Sequence, residues 1–418
     1  MTDKELYGEI FTPISLVEKM CNLLPTSVWS NPDLYWLDPG CGPGNFSIYI
    51  QRKLSHHNTK SNLHMVEINP KSTFLLREIF KSYANIYEED YLTWKTSLQF
   101  DIIIGNPPFN RYGLIKTPTS SLYKSHDGKT IWRDFIRKSL QLLKPNGYLC
   151  FIVPSIWMKP DREGIYNLLT QYKLHFIECF SNTKTNQYFG GRAQTPTCIF
   201  LLQKIPTDHK VDLWDSSFNK WTNYSLHNQL PIPVYGATII NKFVSKIDSS
   251  NQLTIIKTNM PSKTITITDN KLLPYKSILT CRLHKLTPQL IIKYTDVPTP
   301  YYDKKKLIMP HGMWGFPYCD IKGEFGICNR DKYVILSDDE ERLNRLAQFF
   351  STKTARYLFL ATRYRMKLLE KYIFQLIPDI TKLPDFPVEI NDMTIQDYFS
   401  LDYPEREIIE TEMTNYHQ

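Results

Sequence analysis

The 418 residues are 42% hydrophobic, 13% aromatic and 22% charged; this is apolar material for more than one packed core, and it excludes global disorder and fibrous repeats. No run approaches the roughly 20 apolar residues that cross a bilayer, and Asp3, Lys4, Glu5 and Glu9 stand where a secretory signal would be basic and then apolar; an intracellular, non-membrane protein is expected. The balance of 50 basic to 42 acidic residues, net +8, suits a polyanionic partner, while eight cysteines without a C-x-x-C pair or a histidine at zinc spacing read as reduced thiols and not as metal ligands.

In chain order, Thr12-Pro13 reads as a helix cap followed by a first-turn proline, with Leu16, Val17, Met20, Leu23 and Leu24 behind it at helical spacing. Short apolar runs then alternate with helical patterns. Strands are predicted over Tyr35–Leu37, Leu63–Glu67, Asp101–Ile104 and Tyr148–Val153, and helices over Ser72–Tyr83 and Ile131–Leu143, the latter stopped by Pro145-Asn146-Gly147. Such alternation is the pattern of βαβ units and predicts an α/β domain with a mainly parallel sheet. After Gln203 it gives way to Lys-, Thr- and Ser-rich stretches punctuated by proline, with short β-like runs over Leu253–Lys257 and Thr264–Thr268. A boundary is therefore expected, giving domains over 1–215 and 216–418. The second is charged unevenly: Asn241–Leu336 has 15 basic and 7 acidic residues, Lys353–Lys371 has six and one, and Asp379–Glu412 has two and 10. Glu341–Phe374 returns to a helical pattern, and the acidic tail is expected either to finish the packing or to stay flexible.

The chemistry-bearing residues lie in the first half. Behind the first strand comes Asp38-Pro39-Gly40-Cys41-Gly42-Pro43-Gly44, where glycines let a ligand approach the backbone at the start of a helix. The next strand ends at Glu67, placed to accept the hydroxyls of a ribose. Asp90-Tyr91 follows, an acceptor for an exocyclic amine beside a ring that can stack on a purine. Each alone is equally a plain turn or a solvated strand end; their order is what carries meaning. An apolar strand then ends in Asn106-Pro107-Pro108-Phe109. The two prolines fix the backbone and remove two amide donors. An asparagine oxygen and a neighbouring carbonyl can there accept both hydrogens of a planar amino group, beside an aromatic stacking platform.

In that order, behind Gly8-Glu9-Ile10-Phe11-Thr12-Pro13, the motifs resemble those of the gamma-type, S-adenosylmethionine-dependent DNA adenine-N6 methyltransferases of restriction-modification systems. The resemblance extends to Phe151–Ser155 and Thr195–Phe200, and loosely to Ile308–Gly312 and Leu376–Pro378. It implies a Rossmann-like catalytic domain with a mainly parallel seven-stranded sheet, and a carboxy-terminal mixed α+β target recognition domain. Thr12 and Asp38 would border the methionine part of S-adenosylmethionine, Gly40 and Gly42 its backbone contacts, and Glu67 its ribose. Asp90 would take the adenine amine, with Tyr91 or Ile68 against the ring. Asn106 and Pro107 would grip the target amino group, Pro108 stiffening the loop, while Phe109 stacks on the extruded base and Tyr188 or Phe189 supplies the opposite face. Double-stranded DNA is the implied partner, with a separate cognate restriction endonuclease; no metal is implied. Lys304-Lys305-Lys306, Arg356, Arg363, Arg365 and Lys367, interleaved with Tyr301, Tyr302, Tyr357 and Tyr364, are candidate phosphate contacts. The alternatives are an RNA adenine-N6 methyltransferase, a protein glutamine-N5 methyltransferase, and a binding module on a degenerate cofactor fold. Cytosine-N4 methylation is disfavoured by asparagine at 106.

Overall fold

The structure is a computed structural model that describes residues 10–54, 62–111, 130–160, 162–193, 195–284, 287–312, 315–364 and 369–416; Gly8, Glu9, Arg365 and Lys367 lie outside them. The chain divides into two compact units: residues up to Trp214 with Lys220–His227, and Asp215–Asn219 with residues from Asn228 onward. The expected division at 215/216 falls at the turn of a hairpin, and its second strand returns to the first unit.

The first unit is built on β1 (Trp36–Pro39), β2 (Leu63–Glu67), β3 (Asn85–Glu88), β4 (Phe100–Gly105), β5 (Leu143–Pro154), β6 (Tyr172–Phe180), β7 (Thr197–Pro206), β8 (Lys210–Asp215) and β9 (Lys220–Ser225). They form one sheet in the order β3-β2-β1-β4-β5-β7-β6-β8-β9. It has nine strands where seven were expected, because β8 adds in parallel to β6, with Phe176 opposite Asp212, and carries β9 with it. β1 pairs in parallel with both β2 and β4, and β4 with β5; β7 runs antiparallel between β5 and β6.

Helices α1 (Ile14–Asn22), α2 (Thr26–Trp29), α3 (Asn45–Leu54), α4 (Pro70–Phe80), α5 (Trp132–Leu142), α6 (Ile165–Thr170) and α7 (Asn182–Tyr188) cover the sheet. Leu16, Val17 and Met20 of α1, Ile50 of α3 and Leu76 and Phe80 of α4 share one core cluster with Ile102, Ile104 and Ile152. Side chains alternate across a strand, so Ile103 and Phe151, both fully buried, face the other way. Burial on both faces explains why the central strands read as continuous apolar runs instead of alternating ones. Thr12 is not the cap of α1. Pro13 occupies that position without a side-chain bond, and the Thr12 hydroxyl is used elsewhere.

The second unit contains two four-stranded sheets. One orders β10 (Ile256–Lys257), β17 (Tyr333–Leu336), β14 (Lys306–Met309) and β15 (Tyr318–Asp320); the other orders β11 (Ile267–Thr268), β13 (Thr287–Thr295), β12 (Tyr275–His284) and β16 (Phe325–Ile327). With them are α8 (Ala237–Val244), α9 (Glu340–Ser351), α10 (Lys353–Ala361), α11 (Asp392–Tyr398) and α12 (Tyr403–Tyr416). The acidic tail packs: Asp379 is fully buried against Arg342 at 2.7 Å, and both Asp392 oxygens accept backbone N–H groups at the start of α10.

Several predicted phosphate contacts are structural. Lys306 is fully buried on β14 and donates to Asp320 Oδ2 at 2.6 Å and to the Lys304 carbonyl at 2.9 Å; Lys304 precedes the strand and is exposed. Lys305 is paired with Glu340 at 2.7 Å. Tyr357 and Tyr364 are buried and unavailable for stacking on nucleic acid. Replacing Lys306 by Met strands a buried carboxylate, and denaturant unfolding should register a loss of about 3–5 kcal/mol. A loss under about 1 kcal/mol would mean that solvent reaches the pair and that its burial does not govern the sheet.

Candidate active site

Parallel pairing sets the carboxyl ends of β1, β2 and β4 side by side, at the point where the strand order reverses; this is where open α/β sheets bind ligands. An open cleft lies there, lined by Thr12, Asp38, Glu67, Asp90, Asn106 and Phe109 among others. The glycine loop turns off β1 with Gly40 N–H donating to the Val66 carbonyl at 2.8 Å. Gly44 takes φ +87°, a left-handed conformation that side chains rarely adopt, and a Cβ there would stand 2.4 Å from Leu76 Cδ2, so the turn into α3 favours glycine.

Two carboxylates organise the loop. Glu67 Oε2 accepts Gly42 N–H at 2.7 Å and Oε1 accepts Asn69 N–H at 2.8 Å, tying the end of β2 to the loop. Asp38 Oδ2 accepts the Ser47 hydroxyl at 2.8 Å, while Oδ1 is buried with no partner. Desolvation is the main reason that the Asp38 carboxyl is pushed up to about 7; the Ser47 bond opposes the shift and the charge of Glu67 adds to it.

Asn106, at the end of β4, donates from Nδ2 to Thr12 Oγ1 at 3.1 Å and to the Ile10 carbonyl at 3.4 Å. Asn45 Nδ2 in turn donates to the Thr12 carbonyl at 2.7 Å. The segment before α1 is thus clamped between the glycine loop and the Asn-Pro-Pro turn, and it orients the Asn106 amide with its nitrogen occupied and its oxygen available. Pro107 is buried, whereas Pro108 and Phe109 are half-exposed.

Asp90 caps its own turn, Oδ1 accepting Leu92 N–H at 2.9 Å, with Arg111 Nη2 3.6 Å from Oδ2. Tyr91 borders the cleft, but its ring packs 4.9 Å from Phe135 and its hydroxyl shares a hydrogen bond with Ser139 at 2.9 Å. It is 3% exposed, whereas Ile68 is 45% exposed; of the two residues expected against a purine, Ile68 is the one with a free face. Of Tyr188 and Phe189, the latter lines the cleft and Tyr188 packs edge-on against Phe180 at 5.2 Å.

Sequence reading missed Asn45, Ser47 and Lys138. Lys138 Nζ donates to the Tyr91 and Trp94 carbonyls and lies 5.0 Å over the Tyr91 ring, so it holds the Asp90 turn against α5. A position on α5 that falls outside the apolar stripe was its only signal. No group of His, Cys, Asp and Glu suited to a metal occurs among the described residues, and no helix among them is long and apolar enough to cross a membrane.

The Asp38 environment has a measurable consequence. A carboxyl whose pKa is raised by folding contributes stability below the unfolded value, near 4, and loses it as pH rises through about 7. Between pH 4 and 8 the wild-type thermal midpoint should therefore fall relative to that of Asp38→Asn, on the order of several degrees. Parallel curves would show that Asp38 is not held neutral by burial.

Known proteins agree with this geometry over part of the chain. Residues 16–186 match the model described as Eco57I restriction-modification methylase. The type II methyltransferase M.TthHB8I of Thermus thermophilus is 31% identical over 166 residues, 37% of this chain and 36% of that protein. The type II restriction enzyme and methyltransferase RM.Eco57I of Escherichia coli is 30% identical over 138 residues, 30% of this chain and 13% of that one. The tRNA1(Val) (adenine(37)-N6)-methyltransferase of Glaesserella parasuis is 29% identical over 123 residues, 28% of this chain and half of that protein. The chain therefore spans half or less of the length of these relatives. Over residues 16–186 the chain is thus similar to the Eco57I restriction-modification methylases, and the motifs at the ends of β1, β2 and β4 fall within that span.

Proposed function

We propose that this protein is a site-specific DNA methyltransferase that transfers the methyl group of S-adenosylmethionine to N6 of an adenine extruded from duplex DNA. The observation that carries the reading is the Asn106 amide, whose nitrogen is tied back to Thr12 and Ile10 so that its oxygen is offered to the cleft. With the Pro107 carbonyl beside it, that oxygen accepts both hydrogens of a planar amino group and draws the nitrogen lone pair out of conjugation.

The cleft suits the cofactor chemically. S-adenosylmethionine supplies an electrophilic methyl group on a sulfonium and carries an ammonium. A buried carboxyl with an orphan oxygen, Asp38, matches the positive methionine part, with Thr12 bordering it and Gly40 and Gly42 offering backbone. Glu67 stands where the ribose hydroxyls would replace the Gly42 and Asn69 donors, Asp90 takes the adenine amine, and Ile68 covers the ring. Phe109 and Phe189 line the part left for the target base, where stacking offsets the few kcal/mol of extrusion. Direct transfer needs no enzyme nucleophile, and catalysis is positioning and electrostatics.

Residues 228–418 serve in this reading as the target recognition domain, carrying the basic stretch over Asn241–Leu336 that duplex phosphates require; Lys304 and Arg363 remain as contacts. The relatives' names support a restriction-modification role; a separate cognate endonuclease is part of this proposal, although the relative RM.Eco57I is named as restriction enzyme and methyltransferase together. Incubation with labelled S-adenosylmethionine and duplex DNA, total RNA or protein should give N6-methyladenine in DNA, and Asn106→Ala should lose transfer by at least a hundredfold with cofactor affinity unchanged. Label confined to RNA would favour the reading suggested by the tRNA methyltransferase relative; label in glutamine would replace both.

Thr12→Val removes the acceptor that orients Asn106. It should lower kcat about tenfold or more, and Thr12→Ser should restore it. A change in cofactor affinity alone would confine Thr12 to cofactor binding.

A further inference from the structure

The antiparallel hairpin of β12 and β13 is joined to the rest of its sheet only at its base. Among the described residues β16 pairs with Lys276, Ser277 and Ile278, and β11 with Tyr294 and Thr295. Beyond a bulge at Ile278/Thr280, five residue pairs from Thr280–Ile291 to His284–Thr287 pair only with each other. At about 3.4 Å per residue they form a two-stranded arm roughly 17 Å long.

The two faces of the arm differ in chemistry. On one, Cys281 and Leu290 pack into a core cluster with Ile278, Ile292, Phe325 and Ile327 of this sheet and Ile308 of the other. On the other, strand alternation sets Thr280 and Arg282 beside Thr287, Gln289 and Ile291. Arg282 and Thr287 are exposed. Arg282 and Gln289 are direct cross-strand partners, with Nη2 donating to Oε1 at 3.3 Å. The hairpin Tyr275–Thr295 contains four Lys and Arg residues and no Asp or Glu; Lys293 at its base is paired with Asp269 at 2.7 Å, while Arg282 lies on the arm itself.

An unpaired strand edge invites unwanted pairing, yet among the described residues no third strand pairs with this one beyond its base. A two-stranded ribbon fits the major groove of a duplex, about 12 Å wide and 8.5 Å deep. Arginine matches the O6 and N7 of guanine bidentately and glutamine the N6 and N7 of adenine. We propose that the outer face of this arm enters the major groove of the DNA substrate and that Arg282 and Gln289 read base edges there, making them specificity-determining residues. The inference rests on the reading of the chain as a duplex-DNA methyltransferase and adds the element that selects the sequence.

The test uses the full chain, labelled S-adenosylmethionine and a random-sequence duplex library, with methylated adenines mapped by sequencing. Wild type should mark a defined sequence. Arg282→Ala and Gln289→Ala should each relax one position of it by about five- to a hundredfold, with thermal midpoint and cofactor affinity unchanged. Arg282→Lys keeps the charge and loses the fork, so it should relax the same position as Arg282→Ala. If both alanine variants keep the wild-type sequence, or if Arg282→Lys keeps it while Arg282→Ala only weakens binding uniformly and flattens its salt dependence, the arm does not read bases and the proposal is overturned while the methyltransferase reading stands. A wild-type enzyme that methylates RNA or protein but no DNA overturns both.

Discussion

The constraint on which the site depends is the parallel pairing of β1 with β2 on one side and β4 on the other. Parallel strands present the same ends to one edge of the sheet, so Asp38, Glu67 and Asn106 are delivered to one cleft by backbone hydrogen bonds alone. The crossovers leave in opposite directions from β1 and open a crevice between them. Everything at the cleft is then a matter of how each strand end is finished: by glycines at β1, a carboxylate at β2 and an asparagine locked by two prolines at β4.

That finishing is done by polar side chains, of which Asp38 and Glu67 are buried, and their bonds therefore count for more than they would at the surface. Glu67 is satisfied on both oxygens by backbone donors. Asp38 has only half of its hydrogen-bonding capacity filled and carries a raised pKa. The contrast separates a carboxylate whose two oxygens shape the loop from one with a buried oxygen still unfilled. Asn106 is likewise half-filled, but deliberately oriented, its nitrogen engaged by a segment 94 residues earlier in the chain.

The second unit is held by different means. A fully buried Lys306–Asp320 pair, with Asp320 also accepting the Phe325 N–H, joins the turn after β15 to β14. The acidic carboxy-terminal stretch supplies caps and buried partners such as Asp379 and Asp392 instead of a solvated tail. Charge counts along the sequence thus overstated the positive surface at 304–306, and of the two expectations for the acidic end it is the packing that the structure shows.

The sequence by itself determined the order of the first strands, the glycine loop, the acidic strand ends and the Asn-Pro-Pro-Phe turn. These are covalently adjacent to the strands that carry them, and local propensity suffices to read them. Only the tertiary structure decided the partners. Tyr91 offered a stacking ring in sequence, but α5, 48 residues on, brings Ser139 to its hydroxyl and takes it into the core. Lys138 and Ser47 acquired roles at the cleft from the faces of the helices they lie on, and Phe189 prevailed over Tyr188 because one residue of helical rotation separates the cleft from Phe180. The two strands beyond the expected seven were invisible for the same reason: β8 and β9 are short and half-polar, and they become sheet only because β6 presents an edge to pair with.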